Sequence, residues 1–413
     1  MRNRKIAIFA ADFGMNTNPN LMALFAALQQ EGAVLDFYGS ANPGGQSPDT
    51  VLKDKINIYR FPYYLHLDDS SVKALGRSLK QSISFEHRSA WQRMRAQSYD
   101  LVIGIDDLGL LAAQVIAQKS QCKLVFLSYE ILFSDEITSQ AERRLKRKAI
   151  AASATSALVI VQDPIRARNL VKENKLSPDI PTIHLPVSPA GGKVYDSENQ
   201  YLREKFNISA EKKVVLHSGS FAEWTAAPEL VSALPALQED VVVVVHTRWN
   251  AKVRSNPFIE RIQQMNLPNV VLSLDALNEC EYEEMVASAD VGLVLYRQSE
   301  ISENIREIGF ASGKFASYSR ASLPVITWNH EFYRNLFTTY QCGVDVENLS
   351  DISSAVREIS YQYGQYSSES ARLFSEKLDF NLQWPSIKAA FNQLMDKGSI
   401  ETAYPSSRQY IPV

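Results

Sequence analysis

The chain has 413 residues, 45% apolar and 22% charged, the make-up of a soluble globular protein long enough for two domains. A net charge of −3 argues against nucleic-acid binding, which favours a basic surface. Cys122, Cys280 and Cys342 are far apart and show neither zinc spacing nor a disulfide framework, so a reducing cytoplasm is the expected setting.

In chain order, Lys5-Ile6-Ala7-Ile8-Phe9 predicts a first strand. The apolar run Ile6–Ala11 is too short for the core of a signal peptide, and no run in the chain is long enough to cross a bilayer. The strand leads into a polar loop over 12–19 that contains Gly14 and Asn18. Leu21, Leu24, Phe25 and Leu28 then share one face of a predicted helix, Gly32 ends it, and Val34–Tyr38 predicts the next strand. This βαβ opening implies a parallel sheet. The pattern over 63–95 is weaker and reads as helical. Further strands are predicted at Asp100–Ile105, Lys123–Leu127 and Leu158–Val161.

Asp106 and Asp107 directly follow one of these strands, and Glu130 follows another. Carboxylates at the C-terminal end of a strand stand where such folds bind ligands, and one of them can take a proton from a hydroxyl. For the aspartates, capping of the next helix is the competing role. The segment 142–148 carries five basic residues, Arg143, Arg144, Lys146, Arg147 and Lys148. Such a run is ordinarily a solvated helix face; peripheral contact with anionic lipid is the alternative.

Prolines and glycines punctuate Ile183–Gly192, which reads as an interdomain linker. A second βα series follows, with strands at Lys213–His217, Val241–His246, Val270–Leu274, Val291–Tyr296 and Pro324–Trp328. The expected class is α/β, with a first domain over 1–190, a second over 191–394, and a tail over 395–413 packing back on the first. Gly219 and Ser220 form a loop directly after a strand, and Arg248 follows the next one, with Lys252 and Arg254 nearby. A cation there would meet an anionic ligand. His217 and His246 read as core or edge histidines rather than metal ligands. Ser312-Gly313-Lys314 predicts a capped helix start whose free N–H groups and dipole attract phosphate, with the Lys314 charge beside them. It is not a P-loop: three residues separate Gly309 from Gly313, and Phe315 stands where a Ser or Thr would hold magnesium. No Gly-x-Gly-x-x-Gly follows the first strand, and no nucleophile elbow occurs.

The order of Ser312-Gly313-Lys314, a helix containing Tyr318, and Pro324-Val325-Ile326 resembles the donor segment of GT-B glycosyltransferases of the family 4 type, glycosyl transferase group 1. The Gly219 loop, the segment 149–170 with Gln162, Asp163 and Arg166, Pro186, Ser288–Leu293, and Phe380–Leu394 with Trp384 are similar in the same order. The resemblance implies a GT-B fold, two Rossmann-like doubly wound domains facing across a cleft. It implies transfer of a hexosyl group from a nucleotide sugar to a hydroxyl of a saccharide or lipid-linked acceptor, with retention, in polysaccharide biosynthesis. No cofactor and no metal is expected, the nucleotide sugar being a substrate. Gly219, Ser220, Arg248, Ser312, Gly313, Lys314 and Tyr318 would bind the donor. Gly14 and Asn18 would lie in the acceptor-side loop, and Asp106 and Glu130 would be catalytic. Two departures matter. The Arg and Lys usual in the family's glycine-loop region are absent, with Ser220 and Trp224 near those positions. The family's two glutamates, eight positions apart, align with Gly309 and Ser317; Glu300, Glu303 and Glu307 lie upstream without that spacing. A catalytically silent partner protein of this fold, or a nucleotide-sugar epimerase, are the alternatives.

Overall fold

The computed structural model describes residues 1–10, 18–39, 57–60, 96–193, 195, 199–247, 255–298 and 301–396. Their contacts divide into two units. One is Met1–Val187 with the C-terminal helix Phe380–Met395, and the other is Ser188–Asp379.

The first unit is built on a seven-stranded parallel sheet. Its strands are β1 (Lys5–Ala10), β2 (Val34–Gly39), β3 (Asn57–Arg60), β4 (Leu101–Ile105), β5 (Lys123–Leu127), β6 (Leu158–Val161) and β7 (Thr182–His184), in the order β3-β2-β1-β4-β5-β6-β7. β1 and β4 are nearly continuous apolar runs because helices cover both faces. The strand order reverses between β1 and β4, which makes a topological switch point there. Helix α1 (Pro19–Gln30) begins at Asn18, whose side chain accepts from Leu21 N (3.4 Å), with Pro19 in the first turn. Helix α2 (Asp106–Ser120) lies tight on the sheet: a Cβ at Gly109 would meet Phe9 O at 2.3 Å. Helix α3 (Gln140–Ser153) starts with a capping box of Ser139 and Glu142, and α4 (Pro164–Asn174) is capped by Asp163.

The C-terminal helix Phe380–Met395 belongs to this first unit, so the boundary expected at 394 falls at 379 instead. Ion pairs fix it there: Lys388 to Glu31 (2.6 Å), and Arg4 to Asp396 (2.9 Å) just beyond the helix end. The tail beyond residue 396 lies outside the described residues.

The second unit carries a six-stranded parallel sheet of β8 (Lys213–Ser218), β9 (Val241–His246), β10 (Val270–Ser273), β11 (Val291–Val294), β12 (Val325–Trp328) and β13 (Gly343–Val346), in the order β10-β9-β8-β11-β12-β13. Its switch point lies between β8 and β11. β8 pairs with β9 from Lys213↔Val241 through Ser218↔His246, but with β11 only at Val215↔Val291 and Leu216↔Gly292. Covering helices include α5 (Ala227–Ala233), α6 (Pro257–Met265), α7 (Glu279–Ala287), α8 (Gly313–Arg320), α9 (Glu331–Thr339), α10 (Ile352–Tyr361) and α11 (Tyr363–Leu373). Buried apolar clusters lie on both faces of this sheet, as doubly wound topology requires.

Candidate functional site

At the C-terminal edge of the second sheet, Gly219 follows β8 with a φ of 99°, a backbone region that disfavours any side chain. No other atom of the described residues lies within 4 Å of where its Cβ would stand, so a side chain here would meet none of them. Its N–H is spent on His246 O (3.1 Å), so Gly219 supplies clearance rather than a hydrogen-bond donor. His217 Nε2 and Thr225 Oγ1 each reach the Ser220 carbonyl at 3.1 Å. Two donors on one carbonyl pin the loop and leave Ser220 exposed.

Ser312 caps α8: its Oγ accepts from Phe315 N (3.3 Å) and its carbonyl from Ala316 N (3.2 Å). The amides of Gly313 and Lys314 come before any intrahelical acceptor and stay open for a ligand. The Tyr296 hydroxyl shares Ser312 Oγ at 2.7 Å, and the Tyr296 ring stacks with Trp224 at 6.1 Å between ring centres. Lys314 lays its Nζ over the Tyr296 ring, 5.3 Å from the centre. That ammonium is buried and has no hydrogen-bond partner among the described residues. Burial pushes its pKa down to about 7, with no acidic neighbour among the described residues to hold it up. A buried cation without a counter-charge is costly, and a bound anion is the group that would satisfy it.

Tyr318 does not belong to this ligand surface. Its side chain is fully buried on the inward face of α8, and its hydroxyl is used by Ser218 and Leu216. The expected donor contact is therefore replaced by a packing role. His217 and His246 are buried, as expected; burial, then the nearby Lys314, holds His217 well below the usual histidine range. Arg248, Lys252, Arg254 and Glu300 lie outside the described residues. Glu303 pairs with Arg306, and Gly309 gives its carbonyl to the Tyr333 hydroxyl (2.9 Å). Tyr296 and Trp224 were not anticipated as site residues. The position of Tyr296, two residues past the end of β11, was the available signal.

In the first unit, Asp106 opens α2 directly at the end of β4 with a φ of 51°, left-handed for a non-glycine residue. Among the described residues its carboxylate makes no bond to the first turn of α2. Oδ1 instead accepts from Tyr129 N (2.6 Å) and Glu130 N (2.9 Å) in the loop after β5. Both amides fall on one oxygen, so Oδ2 has no hydrogen-bond partner among the described residues. Burial pushes the Asp106 carboxyl up to about 7, against the pull of the Glu130 and Tyr129 amides. Asp107 is buried and raised to about 6 by that burial, with Lys146 pulling the other way.

The Glu130 side chain is 64% exposed and stands 3.9 Å from Arg166 Nη2. Its backbone, rather than its carboxylate, is what meets Asp106. Arg166 is fully buried; its Nε donates to Gln162 Oε1 (2.7 Å) and its Nη2 to the Tyr129 carbonyl. The Tyr129 hydroxyl donates to Asn20 Oδ1 (2.6 Å), and Asn20 Nδ2 donates to Pro186 O (2.9 Å). One buried network thus joins Gln162, Arg166 and Pro186 and sets the loop that grips Asp106. Asn20 and Tyr129, its central members, were not anticipated. Asn18 caps α1, and Gly14 lies outside the described residues.

Of the basic run on α3, Arg143 and Arg147 are exposed and Arg144 and Lys148 half-buried, but Lys146 points inward. Its Nζ donates to Leu132 O and to Asn174 Oδ1 (2.8 Å) and pairs with Glu173 at 3.5 Å. Lys146 is thereby withdrawn from the surface face expected of it. No helix among the described residues is long and apolar enough to cross a membrane.

No protein-family model matches the sequence. No curated protein matches it either. Solved structures match over nearly its whole length. HepE from Anabaena, solved with UDP and glucose, is 12% identical with a TM-score of 0.69, covering 95% of this chain and 100% of that one. Sucrose-phosphate synthase from Thermosynechococcus elongatus is 14% identical with a TM-score of 0.67, covering 95% of this chain and 99% of that one. WaaG, a glycosyltransferase involved in lipopolysaccharide biosynthesis, is 14% identical with a TM-score of 0.61, covering 95% and 100%. At such identities the likeness bears on architecture, and it agrees with the two strand orders described above. The chain has the GT-B fold, an α/β architecture of two Rossmann-like doubly wound units.

Proposed function

We propose that this chain is a glycosyltransferase whose unit Ser188–Asp379 binds the diphosphate of a nucleotide sugar. The observation that carries the reading is the buried ammonium of Lys314, without a hydrogen-bond partner among the described residues, at the open N-terminus of α8. The Gly313 and Lys314 amides and the Lys314 charge together fit a diphosphate better than a neutral ligand. HepE has been solved with UDP and with UDP-glucose, so a uridine-linked hexose is the first donor to try.

In the transfer, the bond from the sugar's anomeric carbon to the diphosphate oxygen breaks, and the diphosphate leaves with the electron pair. Lys314 and the helix amides hold that growing charge. The acceptor oxygen forms the new bond and gives up its proton. Asp106, with a carboxyl near neutrality and one uncommitted oxygen, is the proposed base. A saccharide or lipid-linked hydroxyl is the proposed acceptor. Retention of configuration is part of the reading and needs the acceptor oxygen to attack from the face that the diphosphate leaves; independence from metal ions completes it, since α8 and Lys314 already supply positive potential.

Calorimetric titration of the purified protein with UDP and GDP tests the donor side. Binding of one of them is expected, and binding of neither ends the reading. A silent partner protein is the second reading, favoured by Gly309 and Ser317 standing where the family's glutamates align. Slow hydrolysis of UDP-glucose or another sugar nucleotide by the purified chain separates the two.

A further inference from the structure

Tyr318 sits at the switch point of the second sheet. The β8–β11 pairing stops at Leu216↔Gly292. Just beyond, the Ser218 N–H donates to the Tyr318 hydroxyl (3.0 Å), a side chain standing where the neighbouring strand would otherwise supply a carbonyl. Tyr318 O–H donates in turn to Leu216 O (3.1 Å). Having one proton, it then accepts from Ser218 Oγ (2.9 Å), and Ser218 Oγ accepts from the Tyr282 hydroxyl of α7 (3.1 Å). The ring is admitted because β11 carries Gly292 opposite it: a Cβ there would lie 2.4 Å from the Tyr318 ring. One side chain from α8 therefore grips the last residue of β8, immediately before Gly219 and Ser220.

We infer that Tyr318 is a positioning residue that fixes the spacing between the Gly219–Ser220 loop and the N-terminus of α8, and so tunes the site to a diphosphate. The inference rests on the reading that this unit binds a nucleoside diphosphate. Tyr318 touches no ligand; it acts through Ser218 on one side and through its own helix, which bears Ser312, Gly313 and Lys314, on the other. Ligands of doubly wound sheets sit in the crevice at the switch point, so a wedge there sets the width of the binding edge.

The test is the calorimetric affinity of Tyr318→Phe for UDP, or for GDP if that is what the wild-type chain binds. The control is Tyr366→Phe, which loses a part-buried tyrosine hydroxyl on α11 that bonds Glu358 of α10. Both are measured where circular dichroism shows them folded. Tyr318→Phe should weaken the nucleotide by about tenfold, the scale of one lost polar tie, while Tyr366→Phe leaves affinity within about twofold. A merely structural tyrosine would lower the melting temperature of both variants and change the affinity of neither, and that result overturns the inference. If Tyr318→Phe does not fold, Ser218→Ala takes its place. It removes one of the three ties, so a drop of about threefold supports the wedge and unchanged binding overturns it. Failure of the wild-type chain to bind either nucleotide would instead remove the diphosphate reading on which the wedge depends.

Discussion

The two units place opposite chemistry at the C-terminal edges of similar sheets. In the second, the edge holds a cation, Lys314, with no anion beside it among the described residues. In the first, it holds a carboxyl, Asp106, gripped by two amides on one oxygen and raised towards neutrality. A doubly wound sheet thus fixes where a ligand goes, while the side chains at the strand ends decide what the edge can do. One edge is suited to holding negative charge, and the other to taking up a proton.

The largest effect separating the two edges should be on rate. Asp106→Asn keeps the size and the hydrogen-bonding oxygen but removes the base. It should lower kcat by about 10²–10⁴-fold with donor affinity near wild type. In the wild type, kcat at saturating donor should rise with pH through about 7 as the carboxyl ionises, and the variant should lose that limb. Full activity in Asp106→Asn would confine the residue to holding the Tyr129–Glu130 loop.

Next in size is the mirror-image change. Lys314→Met should weaken UDP by about 10–100-fold, the worth of a charge-assisted contact. Because it also removes a buried ion without a partner, it should stabilise the free protein by about 1–3 kcal/mol in urea unfolding. Loss of affinity together with loss of stability would mean that Lys314 is paired in solution and the contrast between the edges is false.

A smaller, continuous effect comes from pH. Lys314 falls from 10.5 in the unfolded chain to about 7 when folded, so between those values the unfolded state binds more protons and stability rises with pH. UDP should call the proton back. Its affinity should fall above pH 7, approaching tenfold per unit, and Lys314→Met should show no such slope. A flat titration from pH 7.5 to 9 in the wild type would show that the ammonium is not the group that meets the phosphates.

The smallest expected change probes the same unit away from both chemistries. His330 is buried, neither ring nitrogen has a hydrogen-bond partner among the described residues, and burial lowers it to about 4. Its protonation on unfolding costs stability as pH falls from 6.5 towards 4. His330→Phe should be neutral or stabilising by about 1 kcal/mol, flatten that acid slope, and leave nucleotide affinity alone. Weakened UDP binding would extend the cationic edge to His330.

The fold was legible because its signals are local. Apolar runs such as Val241–Val245, punctuated by helices and glycines, force parallel strands wherever they pair. Ser312-Gly313-Lys314 was legible for the same reason, since a cap and a helix start are written in adjacent residues. Tyr318 was not. Its burial depends on Gly292, far back in the chain, and on a β8–β11 ladder that stops short. Lys146 was half legible: it shares a helix face with Ala149, Ala152 and Ser153, which marks it as inward, but its partners Leu132, Glu173 and Asn174 lie elsewhere. Asp106 was read as a base or a cap. The loop that grips it comes from β5 and is held by Asn20 and Arg166, contacts that no local pattern displays.

The first unit is discontinuous in sequence: its closing helix, Phe380–Met395, is made only after the whole of Ser188–Asp379. The order of synthesis is therefore not the order of completion. On the ribosome the second unit has all its residues while the first still lacks the helix that brings Lys388 to Glu31. The unit that begins first is the later of the two to be finished, and its Asp106 edge rests on a sheet that awaits the helix Phe380–Met395.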